Sequence, residues 1–88
     1  MIFITLAKFR KKPTKEWIAQ ASKLYEQMVK EGGKIIGYYW TLGRYDGVLI
    51  GEAKDEKTAM RAALRWGEML STETLVAIPR EEAIKLVE

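Results

Sequence analysis

The 88-residue sequence contains no cysteine and no histidine. Without cysteine there is no disulfide, no thiolate nucleophile and no zinc–thiolate site. Without histidine the commonest general base and metal ligand is missing, as is the usual proximal haem ligand. Acid–base chemistry would fall to Asp, Glu, Tyr or Lys. Serine and threonine have no imidazole beside them, which weakens any nucleophilic triad. The expectation is a protein with no cofactor and no metal. A metal would need oxygen ligands alone, and the adjacent pairs Asp55-Glu56 and Glu81-Glu82 stand at helix starts, where they suit the helix dipole. Asparagine is absent too, and glutamine occurs only at Gln20 and Gln27, while Lys, Arg and Glu abound. That balance is compatible with a high-temperature source. No apolar run reaches the roughly 18 residues that span a bilayer. "MIFITLAKFRKK" puts apolar residues before basic ones, the reverse of a signal peptide. The expectation is a cytoplasmic protein with no membrane partner.

What is present is a globular composition, 48% hydrophobic and 31% charged, in a chain long enough for one domain over 1–88. A chain this short buries roughly 60–65% of its unfolded surface. Domains of this size often gain core by associating. No linker, internal repeat or low-complexity segment interrupts it.

"IFITLAKF", about 2–9, is β-branched and aromatic and reads as a strand. Thr14 caps a helix from Lys15, in which Trp17, Ala21, Leu24 and Met28 recur at helical spacing, flanked by Ile18, Tyr25 and Val29. Gly32-Gly33 ends it. "KIIGYYWTL", 34–42, is a second strand, residues 43–45 turn, and "DGVLIGEA", 46–53, is a third. The short connection makes an antiparallel hairpin. Asp55 caps a helix to about Leu70, with Ala59, Ala63 and Gly67 as a small-residue stripe bordered by Met60, Trp66 and Leu70. "STETLVAI", 71–78, is a fourth strand, and Pro79 opens a short last helix. The order βαββαβ predicts an α+β, ferredoxin-like sandwich with two helices on one sheet face.

Alternation then raises a question about the other face. Phe3, Thr5, Ala7 and Phe9 share one side of the first strand, and Ile2, Ile4, Leu6 and Lys8 the other. In the third, Gly47, Leu49, Gly51 and Ala53 oppose Val48, Ile50 and Glu52. Both faces are apolar apart from Lys8 and Glu52. A sheet face in water carries polar residues at alternate positions. The second face is expected to pair with another copy, giving a homodimer or a higher oligomer built from dimers.

The block "GGKIIGYYWTLGRYDGVLIGEAKDEKTA" closely resembles the GYD domain family, whose Gly-x-Tyr-Asp element is here "GRYD", Gly43 to Asp46. "STETLVAI" resembles the family's last strand. The resemblance implies a dimeric α/β barrel, with two ferredoxin-like sheets facing across a cavity. It implies no particular reaction. Relatives of that fold include cofactor-free monooxygenases, isomerases, haem enzymes and ligand-sensing domains, so the fold alone names no function.

For "GRYD" two readings stand. In one, the turn is architecture: Gly43 allows positive φ, Asp46 accepts backbone hydrogen bonds, Tyr45 packs beside Trp40, and Arg44 pairs or stacks. In the other, Lys8, Trp40, Arg44, Tyr45 and Asp46 bind a small ligand at a cavity mouth. Tyr39 and Trp40 point to opposite faces, so only one of them can line the cavity. Glu52 is the catalytic candidate: a carboxylate inside an inter-sheet cavity would have a raised pKa suited to a general base. Its alternative is a solvated or ion-paired strand end. Asp46 and Glu52 lie about 20 Å apart along one strand face, too far for a retaining glycosidase pair. "GRYDGVLIG" sits in a hairpin and is no phosphate or dinucleotide loop.

The functional reading is a small organic ligand bound between the sheets of a homodimer. A cofactor-independent enzyme of monooxygenase or isomerase type is the alternative, as is a structural or interaction protein. An RNA-binding module shares the strand order, with Phe3 as base platform and Lys8, Arg10, Lys11, Lys12 and Lys15 near phosphates. Against it, "DGVLIGEA" carries no aromatic for stacking, so nucleic acid is not an expected partner.

Overall fold

A computed structural model describes residues 1–87. Four strands and three helices run in the order β1 (Ile2–Phe9), α1 (Lys15–Lys30), β2 (Lys34–Trp40), β3 (Gly47–Glu52), α2 (Glu56–Trp66), β4 (Leu70–Ala77) and α3 (Arg80–Ile84), followed by a 3-10 turn at Lys85–Val87. The sheet is antiparallel throughout, with strand order β2-β3-β1-β4. This is the ferredoxin-like arrangement.

Local chemistry sets the helix ends. The Thr14 hydroxyl accepts from the Trp17 N–H at 3.1 Å, and one Asp55 oxygen accepts from both the N–H and the hydroxyl of Thr58 at 2.9 and 2.8 Å. Each satisfies a donor that the first helical turn leaves without a partner. After α1, Gly32 takes φ +98°, a conformation that any side chain would disfavour.

The core lies between the sheet and the helices. Phe3, Ala7, Ala21, Trp66, Met69 and Leu70 are buried. Around them Tyr25 packs on Trp66 with ring centroids 4.8 Å apart and edge-on to Tyr38 at 5.2 Å. Such pairs contribute about 0.5–1.5 kcal/mol each beyond area burial. Burial, and then the neighbouring Tyr38 hydroxyl, hold the Tyr25 phenol far above its usual pKa. On the outside, Arg65 of α2 grips Glu31 at the end of α1 through both guanidinium nitrogens.

Several boundaries differ from the sequence expectation, β3 and β4 by a residue at each end. β2 stops at Trp40, because Thr41 turns to bond the loop. α2 ends at Trp66 instead of running to Leu70. The N–H of Gly67 bonds to Leu64 O and that of Met69 to Trp66 O, so the chain turns early. That turn swings Met69 and Leu70 both into the core, and Leu70 opens β4. The inward face of α2 is Thr58 and Trp66, with alanines between them, while Met60 is 63% exposed. Pro79 is the N-cap of α3 and lies just before its first residue. Among the described residues, no helix is long and apolar enough to cross a membrane.

The Asp55 carboxyl lies below its ordinary value of 3.8, first because of the Thr58 backbone N–H and then because of the Thr58 hydroxyl. A lowered folded pKa means that this stabilisation is complete above about pH 4 and is lost as pH falls through the folded value. Asp55→Ala is therefore expected to lower the melting temperature at pH 7. The gap from wild type should narrow when melting is repeated near pH 3. An equal gap at both pH values would show that the charge does not matter.

Candidate functional site

Register fixes which side chains share the sheet face away from the helices. Ile4 stands opposite Ile50 and Leu75, Leu6 opposite Val48 and Glu73, and Ile2 opposite Glu52 and Ala77. Opposed residues in an antiparallel pair point the same way. The open face is thus Ile2, Ile4, Leu6 and Lys8 in the middle, Val48, Ile50 and Glu52 on one side, and Ser71, Glu73, Leu75 and Ala77 on the other. Tyr39, opposite Val48, joins it from β2 and is 61% exposed. Its ring lies over Gly37, where an added Cβ would sit only 3.1 Å from ring carbon Cε2. A larger residue there would lift the ring off the sheet.

The "GRYD" turn builds one end of this face. Gly43 has φ +99°. The Thr41 hydroxyl donates to the Tyr45 carbonyl at 2.7 Å, and the Thr41 N–H to the Asp46 carbonyl at 2.9 Å. Asp46 ties the turn to β1 twice. Its N–H donates to Ala7 O, and its Oδ2 accepts the Phe9 N–H, both at 2.8 Å. The carboxylate extends the β1–β3 ladder where the backbone has begun to turn.

Tyr45 reaches further. Its hydroxyl donates to Glu73 Oε2 at 2.8 Å. Glu73 lies on β4, and β1 lies between β4 and β3, so the phenol crosses over β1 to make this bond. The bond to Glu73 raises the Tyr45 pKa, so the tyrosine keeps its proton and acts as donor. The Arg44 guanidinium lies 5.6 Å from the centre of the Tyr45 ring, a cation–π distance.

The structure brings Lys8, Arg44, Tyr45 and Asp46 together at this end. Glu52 stands at the opposite end of the face, opposite Ile2 and Lys34 and exposed. Six residues of β1 separate Ile2 from Lys8, about 20 Å. Trp40 is on the helix side. It packs edge-on against Phe9 at 5.1 Å and Trp17 at 6.4 Å, and lines a groove of about 260 Å³ between α1 and β2 with Ile18 and Tyr25. Of the two aromatics in question, Tyr39 is the one on the open face. Phe3, considered above as a base platform, is 6% exposed beneath the helices and cannot stack on a base.

Glu73 is the residue that sequence reasoning missed. The available signal was its odd position in "STETLVAI" together with the pairing of β4 to β1. Under the helices, a cavity of about 70 Å³ is lined by Phe3, Leu49, Ala62 and Trp66 among others. Pockets for small organic ligands run to about 300–1,000 Å³, so this internal space is too small for one.

Removing the Asp46 carboxylate leaves the Phe9 amide without its acceptor. Asp46→Ala is expected to lower unfolding free energy by about 0.5–2 kcal/mol, the range of a capping side chain. Urea denaturation would measure it, with Asp46→Asn retaining most of the stability. A variant as stable as wild type would show that the turn holds itself without this side chain.

Among curated proteins no sequence match was found. The family model of the GYD domain matches residues 3–87. That span holds the turn, both sheet faces and all three helices, and the chain therefore belongs to the GYD domain family.

Proposed function

We propose that two copies pair through their open sheet faces and that the space between them binds a small organic ligand. The observation that carries this is the open face itself. Ile2, Ile4, Leu6, Val48, Ile50 and Leu75 form one apolar field, and none is buried within the chain. Four strands about 4.8 Å apart and six to eight residues long give a footprint of about 450 Å² per copy. Two such faces approach the lower bound of about 1,200 Å² for a stable interface once side-chain relief is included. An apolar field over much of that area falls within the range of the largest patches that monomers expose, about 300–600 Å², which are often functional.

The charged groups favour a cavity over a dry seam. Lys8, Arg44, Tyr45 and Glu73 at one end and Glu52 at the other would be costly to bury against an apolar partner surface. Kept wet or ligand-filled, they suit a pocket with an apolar middle and polar ends. Binding is the reading that needs fewest assumptions. Catalysis without a cofactor is the second, with Glu52 as general base if pairing desolvates it.

Sedimentation at micromolar concentration should give a dimer, or an oligomer built from dimers, and Ile50→Glu should shift it toward monomer. A well-folded wild-type monomer would overturn the pairing. A dimer unaffected by Ile50→Glu would place the contact on another surface.

A further inference from the structure

Glu73 has two carboxylate oxygens, and Tyr45 occupies one of them. The Tyr45 bond goes to Oε2, and the Glu73 side chain is exposed, so Oε1 lies open on the face. Two of its neighbours on the face are apolar, Leu6 directly opposite and Leu75 next along the same side of β4, while Ser71 is the neighbour on its other side. Lys8 is the adjacent residue on that side of β1, opposite Ser71. A free acceptor, a nearby ammonium and an apolar field therefore lie together on one surface.

Resting on the paired-sheet reading above, we infer that Glu73 reads the ligand and that it takes the hydroxyl of a small apolar phenol or enol. Such an oxygen both donates and accepts. It gives its hydrogen to Glu73 Oε1 and offers a lone pair to the Lys8 ammonium, while the hydrocarbon part covers Leu6 and its neighbours. A carboxylate ligand would bring a second anion against Glu73, which like-charge repulsion disfavours. An ether or hydrocarbon of the same shape would leave a desolvated carboxylate oxygen without a donor. Tyr45 is a positioning residue in this scheme. It holds the other oxygen, so that Oε1 keeps one direction.

The probes are 2-naphthol, its methyl ether 2-methoxynaphthalene and the anion 2-naphthoate, titrated into the purified protein by calorimetry after sedimentation has fixed its state. The wild-type dimer should bind 2-naphthol roughly ten- to a hundredfold more tightly than the ether, the range of one hydrogen bond to a charged group. Glu73→Gln, an exposed substitution, should stay dimeric and lose most of that preference. Tyr45→Phe should keep the preference with weaker binding. A dimer that binds phenol and ether alike, that prefers 2-naphthoate, or that binds neither 2-naphthol nor phenol itself overturns the inference while leaving the pairing intact. So does a Glu73→Gln dimer with undiminished preference. A monomeric wild type overturns the pairing and this inference with it.

Discussion

A four-stranded sheet with apolar residues on both faces presents two surfaces, and its own helices cover one. The strands alternate every residue, so the chain cannot move all its apolar groups to one side. Phe3 and Ala7 go under the helices while Ile4 and Leu6, their immediate neighbours, are left on the far side. The candidate site described above lies on that second face. The turn shapes one end of it, Glu52 marks the other, and Tyr39 lies flat along its edge. On the helix side the space beneath the helices is only a few waters in volume, beside a groove of about 260 Å³ between α1 and β2.

The family's Gly-x-Tyr-Asp element acquires a physical meaning from this arrangement. Gly43 permits the reversal. Asp46 then fastens the reversed chain to β1 through the Phe9 amide. That fixed origin lets the Tyr45 side chain cross a whole strand and meet Glu73. The three named positions are thus a hinge point, an anchor and an arm, and each is of little use without the one before it. Architecture and chemistry are not alternatives at this turn, because the same bonds that close it also aim a phenol onto the open face.

Much of this was legible in the residues. Period-two alternation assigned both faces of β1 and β3, and the caps Thr14 and Asp55 were readable because their side chains act within three residues. What could not be read was non-local. In β4 the run Ser71-Thr72-Glu73-Thr74 is polar on both sides, so alternation gives no contrast there. Only the pairing of Leu6 with Glu73 fixes which way the glutamate points. Trp40 joined an aromatic cluster because α1 brings Trp17 to within ring-packing distance of it, a tertiary contact with no local signature. The early end of α2 follows from the same kind of demand, since two core positions, Met69 and Leu70, are satisfied only if the helix stops short.

The sheet order also governs when the fold can exist. β1 pairs along all eight of its residues with β4, and Ile2 faces Ala77. β1 is therefore held by β4, with residues 10–69 as the intervening segment. As the chain grows, β1 can meet β3 once the hairpin has emerged, but its other edge stays bare until β4 follows. Long-range pairings of this kind slow folding, because loop closure comes before the contacts that reward it. During that interval the second apolar face is open along an edge that still lacks one strand.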